Sequence, residues 1–376
     1  MNIKNTSGII FKLYNPFSQR DAVKDIWTAM INKCPHSYHL SWARKELWLD
    51  SLPSDCKFLL VVGYLNESPV IAFFIGSTTS TFLRYQQVAL NQTLIPVVDN
   101  AAFIEYNSIL VDTEVKMSLE SLLDQIPIKS WDEFHMVRCS SIYHNLAVDN
   151  TANHKYKITI NSQKSYYVDL EKVRRNNYDY LALIGRNRRK KIRRAIKEYK
   201  KMGEISVKIA ENVPEALTIF GEMVELHQKR WSQRNQPGSL STEYVLNSHK
   251  NLISKRFDHG EIQLLKVSAG NHIIGCLYNF VYDGRVLCAD SGYSYLLANY
   301  YRPGFICDYF AILHNAEKGL LSYDFMHGEQ EYKKSLSTDH IDIQDITVQK
   351  NSVKLNMKNA AAKLYRGYRK MRKMIS

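Results

Sequence analysis

Residues 323–333 read Tyr-Asp-Phe-Met-His-Gly-Glu-Gln-Glu-Tyr-Lys, which places carboxylates, a phenol and an ammonium on one short stretch. Asp324 and Glu329 are proton acceptors by type, Tyr332 can give a proton, and Lys333 can bind a phosphate or carboxylate. Asp290 and His227, far off in sequence, add two more acid/base groups. Each has a plain structural reading beside the chemical one. Asp324 alternates with Tyr323 and Phe325 on a strand, so it faces opposite to them, toward a cleft or toward solvent. Glu329 and Lys333 can simply pair with each other. His227 sits on an apolar helical stripe, where a packed, hydrogen-bonded imidazole is common. Trp231 suits a core or a cleft wall, and Arg230 suits the C-terminal end of its helix.

The elements that must position these residues follow from periodicity. Residues 21–33 and 41–50 read as helices. Strands are expected at 58–63, 69–76, 83–90, 103–111, 134–138 and 166–170, with a helix at 117–126. Residues 179–202 read as one helix, its stripe Ile192, Ala195, Ile196 and Tyr199, stopped by Gly203. A strand at 205–209 leads to a helix opened by Asn212 and Pro214, with Leu217, Phe220, Val224, His227 and Trp231 on one face. A second helix covers about 243–256. Turns at Gly270-Asn271 and Asp283-Gly284 then divide a three-strand meander, 262–293. Pro303-Gly304 opens a helix that Gly319 closes, and strands at 323–326 and 343–349 follow. The fold class is α/β (α+β), with mixed, largely antiparallel sheets flanked by helices.

The net charge of +13 is unevenly placed. Residues 1–170 carry 15 Lys and Arg against 16 Asp and Glu, whereas Arg186–Lys201 alone carries ten cations and one acid. Val353–Lys373 carries eight cations and no acid, beside Leu364, Tyr368 and Met371. That tail helix suits an anionic membrane surface as well as it suits docking on the protein. The basic helix suits a solvated face, an anion site or a nucleic-acid contact; the stacking aromatics of a known RNA module are not in its sequence. The six cysteines form no CxxC pair and stand beside no His at zinc-ligand spacing, so no metal is expected and a reducing compartment is. With no signal-peptide core and no run long enough to span a bilayer, the expected location is cytoplasmic, peripheral to the inner membrane face at most.

Three segments, in order, resemble the cellulose-biosynthesis-type (CelD-like) branch of the GNAT acyltransferase superfamily, itself related to the Fem-type aminoacyl ligases. They are Arg186-Asn-Arg-Arg-Lys-Lys-Ile-Arg-Arg-Ala, then Leu226-His-Gln-Lys-Arg-Trp, then Arg302-Pro-Gly followed by Gly319 and the Tyr323–Lys333 ending. The resemblance implies two tandem GNAT-like halves, 1–175 and 176–350, with a basic helix at 351–376. It implies direct transfer of an acyl group from acetyl-CoA or another acyl-CoA to an amine or hydroxyl. Asp324, Glu329, Tyr332, Lys333 and His227 would then be catalytic. Tyr301, Arg302, Gly304, Phe305 and Asp290 would bind the donor, its pyrophosphate on the helix start. Arg186, Arg189, Arg193, Arg230 and Trp231 would bind the acceptor, a small molecule or a polysaccharide- or envelope-related group. The phosphate loop departs from the family pattern in having one glycine, Gly304. Fem-type relatives, which take aminoacyl-tRNA, lack that loop too, and this keeps a tRNA-dependent reading open, as well as a non-catalytic one.

Overall fold

The computed structural model describes residues 8–81, 83–128, 130–140, 142–143, 146, 155–295, 297–361 and 363–364. In chain order the elements are β1 (Ile10–Tyr14), α1 (Arg20–Ile31), α2 (Trp42–Ser51), β2 (Phe58–Leu65), β3 (Ser68–Thr79), β4 (Gln86–Leu90), α3 (Pro96–Ala102), β5 (Leu110–Val111), α4 (Leu119–Gln125), β6 (Glu133–Ser140) and β7 (Tyr156–Asp169). They continue with α5 (Leu170–Arg175), α6 (Tyr180–Leu183), α7 (Arg186–Lys200), β8 (Ile205–Ile209), α8 (Val213–Ser232), α9 (Glu243–Arg256), β9 (Ile262–Ala269), β10 (His272–Tyr282) and β11 (Arg285–Tyr293). Last come α10 (Pro303–Glu317), β12 (Ser322–His327), α11 (Glu331–Leu336) and β13 (Asp339–Lys350).

Two compact units divide the chain at 162/163 and 342/343, against the expected 175/176 and 350/351. The first unit takes Met1–Lys45, Leu52–Ser162 and Ile343–Ser376; the second takes Glu46–Ser51 and Gln163–Asp342. In the first, the strands run β1-β2-β3-β4-β6-β13, all antiparallel except the β4–β6 step. In the second, the order is β7-β12-β11-β10-β9-β8, again antiparallel except for β11–β12. Each unit thus reads strand, two helices, three antiparallel strands, helix, parallel strand. Each has its own apolar core, around Phe73, Leu119 and Phe134 in the first and around Leu265, Leu277 and Ile306 in the second.

Local chemistry explains the second unit's elements. Asn212 accepts from the Glu215 N–H and starts α8 beside Pro214. Asp283 (φ 47°) and Gly284 (φ 70°) close the β10–β11 hairpin, a turn that needs left-handed backbone at both positions. Two expectations fail. The single helix over 179–202 is broken at Ile184-Gly185 into α6 and α7, because Gly185 takes the non-helical N-cap position. The expected strand at 103–111 is strand only at its end, since Phe103 and Tyr106 adopt positive φ; Phe103 is the left-handed C-cap of α3, a helix with Pro at its start that lies just before. Residues 353–361 are helical, and Lys358 Nζ lies 2.7 and 2.6 Å from the two oxygens of buried Glu133. Tyr368 and Met371 lie outside the described residues. Among those described, no helix is long and apolar enough to cross a membrane.

Candidate active site

The second unit's sheet opens at its parallel step. β11 pairs with β12 only from Arg285 to Leu287, opposite Ser322 to Asp324. Beyond Leu287, β11 continues to Tyr293 against β10, while β12 goes on against β7. The edge of β11 facing β12 is therefore without a ladder partner from Cys288 onward, and a polar chain can pair with it. A β-bulge lies at the same place. Tyr278 faces Asp290 and Asn279 faces Cys288, so Ala289 is an extra residue. Plain alternation would put Cys288 and Asp290 on one face; the bulge sends them to opposite faces. Cys288 packs with the core under α10. Asp290 turns to α8, as does Gly292, whose added Cβ would stand 2.2 Å from the Met223 carbonyl oxygen of α8.

On the α8 face, Asp290 meets His227 and Ser239, and Trp231 meets His227. Ser239 Oγ donates to Asp290 Oδ2 at 3.0 Å, and the Ser291 N–H donates to Oδ1 at 2.8 Å. His227 Nε2 is 3.6 Å from Oδ1, which has the look of an ion pair. It is not one. Trp231 Nε1–H donates to that same Nε2 at 2.8 Å, and indole can only donate, so Nε2 carries a lone pair and His227 is neutral. Burial acts in the same direction, lowering the His227 pKa against the pull of Asp290. Burial also raises the Asp290 carboxyl, with His227, the Ser291 N–H and Ser239 opposing. Nor is this a Ser-His-Asp relay, because Ser239 and Asp290 share one ring nitrogen while buried Nδ1 has no partner. Of the two, Asp290 is the more accessible, its side chain 20% exposed against 7% for His227. A small cavity of about 30 Å³ lies alongside, lined by Arg230, Tyr293 and Tyr295 among others, with the Arg230 guanidinium 4.2 Å over the Tyr295 ring.

On the α10 face lies a second carboxyl. Asp308 is buried, and the Tyr323 hydroxyl lies 3.4 Å from its Oδ1. Burial raises its pKa to about 7, against the Tyr323 hydrogen bond and the Lys333 charge. Tyr332 reaches the same space from α11. Burial, then the charges of Asp308, Cys288 and Asp290, push its hydroxyl far above the usual phenol value.

At the mouth, Arg302 (φ 46°) caps α10 in left-handed backbone, and Pro303 begins the helix. No side chain caps this end and no acid lies in the first turn, so its N–H groups and dipole face outward. Gly304 allows the turn to lie against the Tyr293 ring, where a Cβ would already stand at 3.3 Å. The basic helix α7 packs beside this end. Arg188 lies 4.2 Å over the Phe305 ring, Arg194 lies 4.7 Å over Tyr300, and Tyr199 meets Tyr301 edge-on at 5.0 Å.

The expected site residues therefore separate. Asp290, His227, Arg230 and Trp231 converge on the α8 face of the opening, and Tyr301, Arg302, Gly304 and Phe305 converge at its mouth. Asp324 lies elsewhere in role: fully buried, it pairs with Arg285 Nη2 at 2.9 Å and accepts from the Met326 N–H at 2.8 Å. Buried Lys333 donates to the Met326 and His327 carbonyls at 3.1 and 2.6 Å, holding the end of β12. Glu329 is exposed. Arg189 donates to the Ala182 and Ile184 carbonyls, while Arg186 and Arg193 point to solvent. Asp308, Ser239 and Arg188 were not anticipated. Asp308 did leave a signal, as the one acid in the apolar run Phe305–Leu313.

Residues 186–334 match the family model described as Acetyltransferase (GNAT) domain. The second unit carries a GNAT-type acyltransferase domain. No curated protein matches the chain. Solved structures similar to it include L-PGS from Bacillus licheniformis, at 10% identity over 89% of this chain and 94% of that one, TM-score 0.48. Another is FemX, at 11% identity over 85% and 95%, TM-score 0.47. A third is the tandem GNAT protein of the clavulanic acid biosynthesis pathway, at 9% identity over 91% and 98%, TM-score 0.42.

Proposed function

We propose that the GNAT domain transfers an acyl group directly from acyl-CoA, acetyl-CoA being the simplest, to an amine or hydroxyl of a sugar, amino-acid or lipid-linked acceptor. The observation that carries this reading is the bulge at Ala289, which turns Asp290 to the α8 face just beyond the point where β11 leaves β12. The free edge of β11 would hold the amide-bearing arm of the donor. The uncapped start of α10, with Arg302 and Arg188 beside it, would hold the phosphates. Asp290, raised by burial, would take the proton from the attacking amine or hydroxyl. Ser239 and the Ser291 N–H would keep its carboxylate in place. The finer assignment to the cellulose-biosynthesis-type branch is part of this proposal and rests on Arg302-Pro303-Gly304 and the Tyr323–Lys333 ending.

A second reading, a donor carried on tRNA, has one observation in its favour. The exposed face of α7 displays Arg186, Lys190, Lys191, Arg193, Arg194 and Lys197 next to the α10 start. Titration calorimetry with acetyl-CoA, a longer acyl-CoA and aminoacyl-tRNA separates the two. Saturable binding of acyl-CoA is the expected result, and binding of tRNA alone would sink the first reading.

A further inference from the structure

The last turn of α8 holds a guanidinium for which the fold supplies no acceptor. Among the described residues Arg230 makes no hydrogen bond and no ion pair, and its Nε is buried. What holds it is the Tyr295 ring, 4.2 Å away. The negative end of the α8 dipole favours a cation at this place but gives the buried N–H no acceptor. Lys229 precedes Arg230, and Arg234 follows it, 5.8 Å over the Trp231 ring, so the neighbours add positive charge. A buried donor left unpaired costs free energy, and a bound oxyanion removes that cost. A cavity of about 30 Å³ adjoins the guanidinium. Leu226, Lys229, Arg230 and Gln233 bound it on the α8 side, Tyr293 and Tyr295 on the β11 side, and no acid lines it. It has room for about two waters, which is what a carboxylate needs, whereas a phosphate is bulkier. The place is next to Asp290. Arg230 follows His227 by three positions, so the two share a face of α8, and His227 Nε2 is 3.6 Å from Asp290. The Tyr293 ring also lies against Gly304 at the mouth.

Resting on the reading that acyl transfer takes place beside Asp290, we propose that the acceptor carries a carboxylate and that Arg230 binds it in this cavity. The acceptor's amine or hydroxyl then lies at Asp290 and its carboxylate one helical turn away. The substrate class is an amino acid, a hydroxy acid or a sugar acid, free or at the end of a larger molecule. The Tyr295 ring presents the guanidinium as a planar fork, the form in which arginine takes a carboxylate through two parallel hydrogen bonds. Arg186 and Arg193 on α7 do not compete for this role, because they face water, where their attraction is screened. Specificity follows from the same arrangement. A neutral acceptor leaves Arg230 as it stands in the empty site, with its buried N–H unpaired, whereas a carboxylate completes it.

The guanidinium itself reports the binding. The full chain is prepared with isotope-labelled arginine, and the Arg230 Nε–H signal is assigned in NMR spectra by its loss in Arg230→Lys. Propionate, propionamide and inorganic phosphate are then titrated in at fixed ionic strength and about pH 7, where the acid is ionised. Propionate should move the Arg230 signal saturably, propionamide should not, and phosphate should move it less than propionate does. No saturable shift with propionate overturns the inference, as does an equal shift with propionamide or a larger one with phosphate. Transfer is followed as thiol release from acetyl-CoA, with glycine, β-alanine and γ-aminobutyrate each set beside its carboxamide. In the wild type the best acid should exceed its amide about tenfold or more in kcat/KM, the worth of a charge-assisted hydrogen bond. In Arg230→Gln that ratio should fall to about one, and a preference that survives there overturns the proposal. Should either variant unfold, the comparison of propionate with propionamide on the wild type still decides. A propionate shift at Arg230 combined with failure of acetyl-CoA to bind in calorimetry overturns the acyl-CoA reading and leaves the carboxylate site standing.

Discussion

Asp324→Asn separates a framework carboxylate from a catalytic one. Asp324 is fully buried, and it takes a 2.9 Å ion pair from Arg285 and a 2.8 Å hydrogen bond from the Met326 N–H. The amide of Asn keeps one oxygen, which can still accept from Met326. Its NH2 then faces the guanidinium, donor against donor, and the charge on Arg285 loses its counter-ion. Removing one member of a buried pair costs about 3–5 kcal/mol. Arg285 is 20% exposed and so partly screened, which places the expected loss near the lower end, about 3 kcal/mol. For a unit on the order of 190 residues, that lowers Tm by roughly 6–12 °C. Calorimetric unfolding of the variant gives the first number, and acetyl-CoA titration well below its Tm gives the second. Donor affinity should stay within about twofold of wild type, since the bonds from Arg285 and the Met326 N–H to Asp324 hold strand residues of the framework. An unchanged Tm combined with lost transfer would show that Asp324 acts on substrate and that its assignment to the framework is wrong.

Asp290→Asn should slow transfer by about 100-fold or more while leaving donor affinity within about twofold, and parallel loss of both would argue against a proton-accepting role. Trp231→Phe removes the N–H that keeps His227 Nε2 unprotonated, so the imidazole should titrate at higher pH and pair with Asp290; an unmoved His227 signal in NMR titration would refute the tautomer argued above. In the first unit, burial pushes Glu133 up, but hydrogen bonds from His135, Lys358 and Gln349 more than offset it and hold its carboxyl well below the usual range. That depressed pKa contributes stability above about pH 4.3, the ordinary glutamate value, and the contribution is lost as pH falls toward the folded value. Glu133→Gln should bring the same loosening at neutral pH, about 2 kcal/mol with Lys358 31% exposed, read as faster protease cleavage next to Lys358; equal cleavage rates would refute the clasp.

How much of this was legible depended on whether the information was local. The alternation of β9–β11, the Asp283-Gly284 turn, the Asn212 cap and the Pro303 start are written in neighbouring residues, and the expected order of elements over 205–349 follows from them. The surroundings of Asp324 were not legible, for a physical reason. Alternation correctly opposed it to Tyr323 and Phe325, yet the far side holds Arg285, and nothing within a few residues announces a partner 39 positions away. The partners of Lys333 were not legible either, because they are backbone carbonyls, which have no sequence signature. Asp290 was named, but its facing was not legible, since a bulge shows only when the partner strand is in register. The break at Gly185 was visible as a glycine and was outweighed by the helical stripe on either side.

The two units follow the same order of elements, and one detail explains why only the second offers an anion a place at its third helix. In the first unit, α3 occupies the position that α10 holds in the second. Asp99, in the first turn of α3, accepts from the Thr93 N–H at 2.7 Å, the Leu94 N–H at 2.8 Å and the Thr93 hydroxyl at 2.8 Å. The chain's own carboxylate thus already takes the amide groups of the loop before the helix, and it would repel a second anion there. Burial raises Asp99, and these hydrogen bonds resist the rise, as expected of a carboxylate built into its loop. At α10 the corresponding acid is missing, no side chain caps the turn, and two arginines stand beside it. A start of this kind gains free energy from a bound phosphate, whereas one occupied by Asp99 would have to give up three hydrogen bonds to accept it.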